Sequence, residues 1–273
     1  LLNQETDFAL LQLDVASKAM KEGKVEAVAV LANEYIHFIT RKDSTLNDIT
    51  TLSSDKIAVG AAGSGIYFTS SRILEAINLD IEEAQLPTSE AFSQLRKGEV
   101  EALVYVGPLG ASQKVKQELA KDDALRLIGL KSNIQNHLTL NFPESYQKAL
   151  IPEGSYRILP AEPSQDLSTV STATALVTRP DVEQKTVALL TWSIIATARK
   201  YGLFYPELAS TEDPRSLLHQ GLVHIHPGAS QAMAYGDPRS AWVRYLRENK
   251  PLQAASIMLL STSTIGFLIR WWR

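Results

Sequence analysis

Short apolar runs alternate along this chain with amphipathic stretches that begin and end on capping residues. Phe8–Leu11 predicts a short strand, and Asp14 is placed to cap a helix over Val15–Lys21 that Gly23 ends. Val25–Leu31 and Tyr35–Thr40 predict two more strands, and Asp43-Ser44 opens a short helix near Leu46–Leu52. Lys56–Val59 reads as a strand, Tyr67–Ile77 as a helix, and Glu83–Leu86 as a weak strand. Ser89 caps a predicted helix to Lys97, stopped by Gly98. Ala102–Val106 and Leu125–Ile128 are predicted strands, Gly110–Ala120 and Ser132–Asn141 predicted helices. Pro143–Pro163 holds several prolines and little periodicity, which predicts irregular chain. Thr169–Val177 alternates hydroxyl and apolar positions as a strand does, and Val182–Lys200 predicts a long helix. Short helices broken by Pro206, Pro214, Pro227 and Pro238 follow over 205–240. Strands alternating with helices predict an α/β fold whose mostly parallel sheet is covered on both faces.

Both ends depart from that pattern. The chain opens mid-pattern at Glu5–Leu11, and Leu1-Leu2-Asn3 has neither the basic nor the apolar region of a signal peptide, so a missing natural beginning is expected. At the other end, Pro251–Ile269 carries no charge and Arg270-Trp271-Trp272-Arg273 follows. A spanning helix needs roughly 20 mostly apolar residues and favours aromatic and basic residues at its rim. Residues 251–273 are therefore expected to form a hydrophobic membrane-anchor helix, with a buried or amphipathic C-terminal helix as the alternative.

Composition narrows the chemistry. The 273 residues are 45% hydrophobic and 21% charged, which is ordinary for a globular chain of one or two domains. A net charge of −3 gives no footprint for nucleic acid. The absence of cysteine removes disulfides, thiolate catalysis and cysteine-ligated zinc together. The five histidines, His37, His137, His219, His224 and His226, have no third ligand placed by spacing, so no metal site is expected. No nucleophile elbow or acid–base pair stands out, so no catalytic residue and no cofactor are expected.

What remains is a turn. Val59-Gly60-Ala61-Ala62-Gly63-Ser64-Gly65 runs from a strand into a helix, and such a helix start aims backbone N–H groups at an anion. Gly63 and Gly65 allow close approach, and Ser64 adds a hydroxyl. The turn lacks both the Gly-Lys-Ser/Thr of a Walker loop and the full dinucleotide spacing, and a plain strand–helix connection needs glycine for its dihedrals as well. Tyr105 and Gly107 lie at the next strand end, and Gln12 ends the first strand with an amide able to reach a ligand.

Six segments in order carry a resemblance. Asp7–Ala16, Val59–Tyr67, Leu95–Gly107, Ile151–Tyr156, Thr169–Val177 and His226–Ala229 resemble corresponding segments of the TAXI family of solute receptors that serve TRAP transporters. The resemblance covers nearly all of 1–240. It departs at Ile66-Tyr67, where the family usually has Thr-Glu, and at Glu101, where it has Asp.

The resemblance implies a two-lobed, type II periplasmic-binding-protein-like fold, each lobe a mostly parallel sheet flanked by helices. One lobe would combine 1–44 with 169–240, lacking its N-terminal strand and helix, and the other would span 45–168. Tyr35–Thr40 and Thr169–Val177 would cross between them. The resemblance further implies a small carboxylate, of acidic amino acid or dicarboxylate type, held by Gln12, Gly63, Ser64, Gly65, Ile66, Tyr67, Tyr105 and Gly107. The partners would be TRAP transporter membrane subunits and the membrane itself through the C-terminal helix, and the location the periplasm at the inner membrane. A membrane-anchored sensing domain used for signalling is the alternative.

Overall fold

β2 (Glu26–Arg41) is a single strand of 16 residues where the pattern predicts two. The intervening Ala32, Asn33 and Glu34 stay extended because β10 (Leu167–Thr178) pairs with them, Thr174 opposite Ala32 and Thr172 opposite Glu34. Pairing across the chain overrides the local break in apolar pattern. The structure, a computed structural model, describes residues 1–52, 55–79, 81–109, 113–201, 215–218, 221–240, 245 and 249–271. Pro206, Pro214 and His219 lie outside the described residues.

The remaining elements, in chain order, are β1 (Phe8–Gln12) and α1 (Leu13–Lys21), then, after β2, a 3-10 turn at Ile49–Thr51 where a short helix near Leu46–Leu52 is expected, β3 (Lys56–Ala58), α2 (Gly65–Ile77), β4 (Glu82–Ala84), α3 (Thr88–Lys97), β5 (Ala102–Gly107), α4 (Gln113–Lys121), β6 (Leu125–Ile128) and α5 (Ser132–Asn141). Next come β7 (Gln147–Ile151), β8 (Arg157–Ile158) and β9 (Ala161–Glu162). After β10 follow α6 (Gln184–Thr197), α7 (Arg215–Leu218), α8 (Pro227–Tyr235) and α9 (Lys250–Trp271). Three strands thus occupy the stretch 143–163 read as irregular. β7 forms there because β10 offers an edge, pairing Ile151 with Leu167 and Gln147 with Ser171.

The sheet runs β1-β10-β2-β5-β3-β4, with β6 also on β2 and β7 also on β10. β3 pairs in parallel with β4 and β5, and the other pairings described in this sheet are antiparallel. The expectation of a mostly parallel sheet is therefore corrected to a mixed one. The cause is that the long strands β2 and β10 run antiparallel to each neighbour they meet.

These two strands also divide the packing. Leu13, Ala16, Val25, Ala27, Ala175 and Val177 form a core around α1 and the first part of β2. Val28 packs with Val187 of α6 and Ala229 of α8. Beyond Tyr35 the sheet carries larger cores on both faces, Ile36, Phe38, Ile57, Val104 and Val106 on one and Ile39, Phe92, Leu95, Leu103 and Leu119 on the other. The molecule thus has two halves joined through β2 and β10.

Helix ends follow sequence chemistry with shifts. Gly98 ends α3 in the left-handed region at φ 75°, as expected, but α3 begins at Thr88 with Pro87 at its cap, not at Ser89. His226 caps α8, its Nδ1 accepting the Gly228 N–H at 3.0 Å, with Pro227 in the first turn. α9 forms over the C-terminal apolar run, but among the described residues no helix is long and apolar enough to cross a membrane. The hydroxyls at its centre weaken the run, and Ser261 and Thr262 turn theirs back onto the Met258 carbonyl. The expectation of a spanning anchor is not met there.

Candidate functional site

The glycine turn is built as a helix-start device. Gly60 and Gly63 sit at φ 95° and 72°, where side chains with a Cβ are strained. A Cβ on Gly60 would also lie 2.8 Å from the Tyr67 backbone nitrogen. Ser64 caps α2, its Oγ accepting the Tyr67 N–H at 3.1 Å. The N–H groups of Gly65 and Ile66 belong to the first turn, where a helix supplies no internal acceptor. Ile66 and Tyr67 turn onto the core beside Ile36 and Val104, so their side chains serve packing.

Gln12 reaches this turn from the other half. A Cβ on Gly65 would stand 2.1 Å from Gln12 Oε1, so only glycine admits this approach. The Gln12 amide nitrogen donates to Glu34 Oε2 at 2.5 Å, and Thr174 Oγ1 donates to Glu34 Oε1 at 2.7 Å. Gln12 Oε1 and the Thr172 hydroxyl are buried with no hydrogen-bond partner among the described residues. Burial raises the Glu34 carboxyl above its ordinary range, against the bonds from Thr174 and Gln12, and the nearby acid Asp14 adds to the rise.

Asp14 forms a second contact between the halves. It is 1% exposed. Its Oδ2 accepts from Thr69 Oγ1 of α2 at 2.6 Å and from the Tyr146 hydroxyl at 2.9 Å. Its Oδ1 accepts the Val15 N–H at 2.9 Å. Arg72 donates to the Asp14 carbonyl at 3.2 Å while its guanidinium lies over the rings of Phe68 and Phe142. Burial is the main cause that raises the Asp14 carboxyl, opposed by its hydrogen bonds. Asp14 is not the cap of α1, as its sequence position suggests. Gln12 holds that position, and Asp14 lies in the first turn of the helix.

Tyr105 and Gly107 lie elsewhere. The Tyr105 ring folds over Gly107, where a Cβ would meet its hydroxyl at 2.5 Å, and packs against the His37 ring with centroids 5.6 Å apart. His37 is fully buried, which holds its pKa down at about 4, and the Tyr156 hydroxyl meets its Nε2 at 2.5 Å. This cluster belongs to the core on the face opposite Ile66 and Tyr67. The structure therefore brings Gln12, Gly63, Ser64 and Gly65 together and leaves Tyr105 and Gly107 behind the sheet. Glu34, Thr174, Thr69 and Tyr146 were not singled out from sequence, because the contacts that matter span up to 140 positions. Among the described residues, no group of three or more His, Cys, Asp or Glu side chains is placed to hold a metal.

Along one edge of β10, β1 covers Thr174–Thr178 and β7 covers Leu167–Ser171. A hollow of about 30 Å³ lies at the gap between them, lined by Leu13, Ser145, Thr172 and Ala173 among others. That is room for a water or two. A roomier hollow of about 320 Å³ lies away from the glycine turn, between α2 and α5.

Solved structures of similar course include the substrate-binding protein of an amino acid ABC transporter, at 15% identity over 77% of this chain and 71% of that one, TM-score 0.46. The arginine-, lysine-, histidine-binding protein ArtJ from Geobacillus stearothermophilus is 12% identical over 81% and 77%, TM-score 0.46. The periplasmic VFT2 domain of Bordetella pertussis BvgS is 18% identical over 76% and 66%, TM-score 0.40. At these values they say nothing of what this chain binds. A family profile described as NMT1-like matches residues 1–234. It supports a solute-binding protein at the coarser level and does not single out the TAXI receptors that the motifs resemble. With most of its length matched, the chain belongs to the NMT1-like family.

Proposed function

We propose that this protein is a solute-binding receptor, not an enzyme, that captures a small carboxylate-bearing solute between its halves in the periplasm and passes it to a TRAP-type membrane transporter. The observation that carries the reading is the meeting of Gln12, from one half, with Gly65 at the start of α2, from the other. A carboxylate seated at that helix start receives the Gly65 and Ile66 N–H groups and the positive end of the α2 dipole. Family membership and the motif resemblance support the same reading. In such a receptor β2 and β10 act as the hinge, and the solute selects the closed arrangement because it touches both halves only there. No covalent step is needed.

Thermal melting with a panel of small acids tests this. A solute that binds the folded state alone raises the midpoint. A rise with one acid, lost in Gly65→Val, is the expected result. A cooperative melt that no acid shifts would remove the carboxylate reading.

A further inference from the structure

Gly65, Thr69 and Arg72 recur along α2 at the spacing of one helix face. All three meet the short segment Gln12–Asp14 of the other half. Gln12 Oε1 stands against Gly65. Asp14 Oδ2 accepts from Thr69, and the Asp14 carbonyl accepts from Arg72. The junction of β1 and α1 thus grips a single stripe along the first two turns of α2.

The grip has a backstop. The Tyr146 hydroxyl reaches the same Asp14 oxygen from the chain that follows α5. Tyr146 is itself 1% exposed, its ring set edge-on to Phe142 and its N–H donating to the Phe142 carbonyl at 3.0 Å. Tyr146 and α2 share a core of the second half, whereas α1 packs in a core of the first. The bonds that Asp14 accepts from the Val15 N–H and the Ser17 hydroxyl are local. Those from Thr69, Tyr146 and Arg72 all cross between the halves. Hydrogen bonds weaken steeply with distance and angle, so a hinge motion that parts the halves by about 1 Å breaks the three together. Bonds that form and break as a unit favour two discrete arrangements over a graded one.

We propose that Asp14 is a closure latch: its bonds to Thr69, Tyr146 and Arg72 set how much of the chain stands in the closed, solute-competent form, and the start of α2 is left to contact the solute. This rests on the reading above that the halves close on a solute. Asp14 is then a positioning residue. Apparent affinity scales with the closed fraction, so the latch tunes the capture of every solute alike and carries no selectivity.

The test is a distance measurement between the halves of the full chain. The chain has no cysteine, so Lys18→Cys on α1 and Lys116→Cys on α4, both exposed, take one spin label each. Thr69→Val and Tyr146→Phe each remove one crossing bond. Asp14→Asn, which keeps an acceptor, replaces either variant that fails to fold cooperatively. The expected result is an open-to-closed ratio raised about three- to tenfold by each substitution, and further by the two combined, seen as a longer distance between the labels. The same proteins are titrated calorimetrically with glutamate, aspartate, succinate and 2-oxoglutarate. Each acid that wild type binds weakens by the same factor, in inverse proportion to the closed fraction. Distances that match wild type in the single and combined variants overturn the latch, and acids that still bind then leave the receptor reading standing. One acid weakened more than the others, at unchanged distances, also overturns it and makes the cluster a solute contact. If no acid binds wild type, the carboxylate-receptor reading falls and the distances alone decide the latch.

Discussion

Two sets of carboxylates in this molecule live by opposite rules. On the outer face of the second half, Arg96 holds Asp122 below the ordinary carboxylate range, and Lys42 with Arg157 does the same for Asp123. Glu118 is pushed up by partial burial but ends below its usual value because Lys114 and Arg96 both reach it. In the cleft, Asp14 and Glu34 are raised by burial, and their bonds come mainly from hydroxyls, an amide and a backbone N–H. The outer acids are neutralised where they stand. The cleft acids are left with charge to spare at the junction of two halves, where function is expected to place it.

The sharpest way to break this comparison is to empty the Asp14 site. Asp14→Ala strands the Thr69 and Tyr146 hydroxyls and the Val15 N–H in a buried spot, and is expected to cost about 3 kcal/mol in urea unfolding. Asp14→Asn keeps an acceptor and removes the charge, so it should cost less than half as much. Equal losses in both variants would mean that the carboxylate charge, not the buried hydrogen bonding, holds the halves together.

A smaller effect is expected from Gly65→Ala, which probes Glu34 through its partner. The new Cβ meets the end of a flexible side chain, so Gln12 can swing away, and the loss should be about 1 kcal/mol for its bond to Glu34. In a Gln12→Ala background the same substitution should cost almost nothing. A full cost in both backgrounds would show that the α2 helix start itself cannot accept the methyl group.

Which parts of this were legible in the sequence follows from the range of the interactions. Local chemistry was readable: Gly98 as a terminator, Ser132–Asn141 and Leu125–Ile128 to the residue. Misread elements owe their form to distant partners. β2 is continuous because β10 pairs through Ala32–Tyr35, and β7 exists because β10 offers it an edge. The site divides in the same way. The glycine turn is local and was visible, whereas Asp14 looked like a helix cap and Glu34 like a residue between strands. Only the sheet register brings Gln12, Glu34 and Thr174 onto one face.

pH separates the two sets more gently. For Asp14 and Glu34 the folded value lies above the unfolded one. The stability they contribute is fully present below the unfolded value and is lost as pH rises through the raised value. For Asp122, Asp123 and Glu118 the folded value is lower, so their contribution is present above the unfolded value and is lost as pH falls through the lowered one. Wild type should therefore gain stability relative to the double variant Asp14→Asn, Glu34→Gln as pH drops from 7 toward 4. A difference that stays flat with pH would mean that the cleft carboxyls titrate normally.

The least effect should come from an outer pair. Lys131 bridges Asp48 at the rim, and the lysine is largely exposed. Asp48 is raised by partial burial yet ends below its usual value because Lys131 and Thr50 both hold its ionised form. A pair with one end in solvent contributes about 0.5 kcal/mol and fades in salt. Lys131→Gln should therefore shift the urea midpoint barely at all, and by less still in 1 M salt, where the Debye length falls to about 3 Å. A Lys131→Gln loss as large as that of Gly65→Ala, and insensitive to salt, would show that the outer carboxylates depend on their countercharges as heavily as the cleft depends on its hydroxyls. The division between the two sets would then be one of sign only, not of strength.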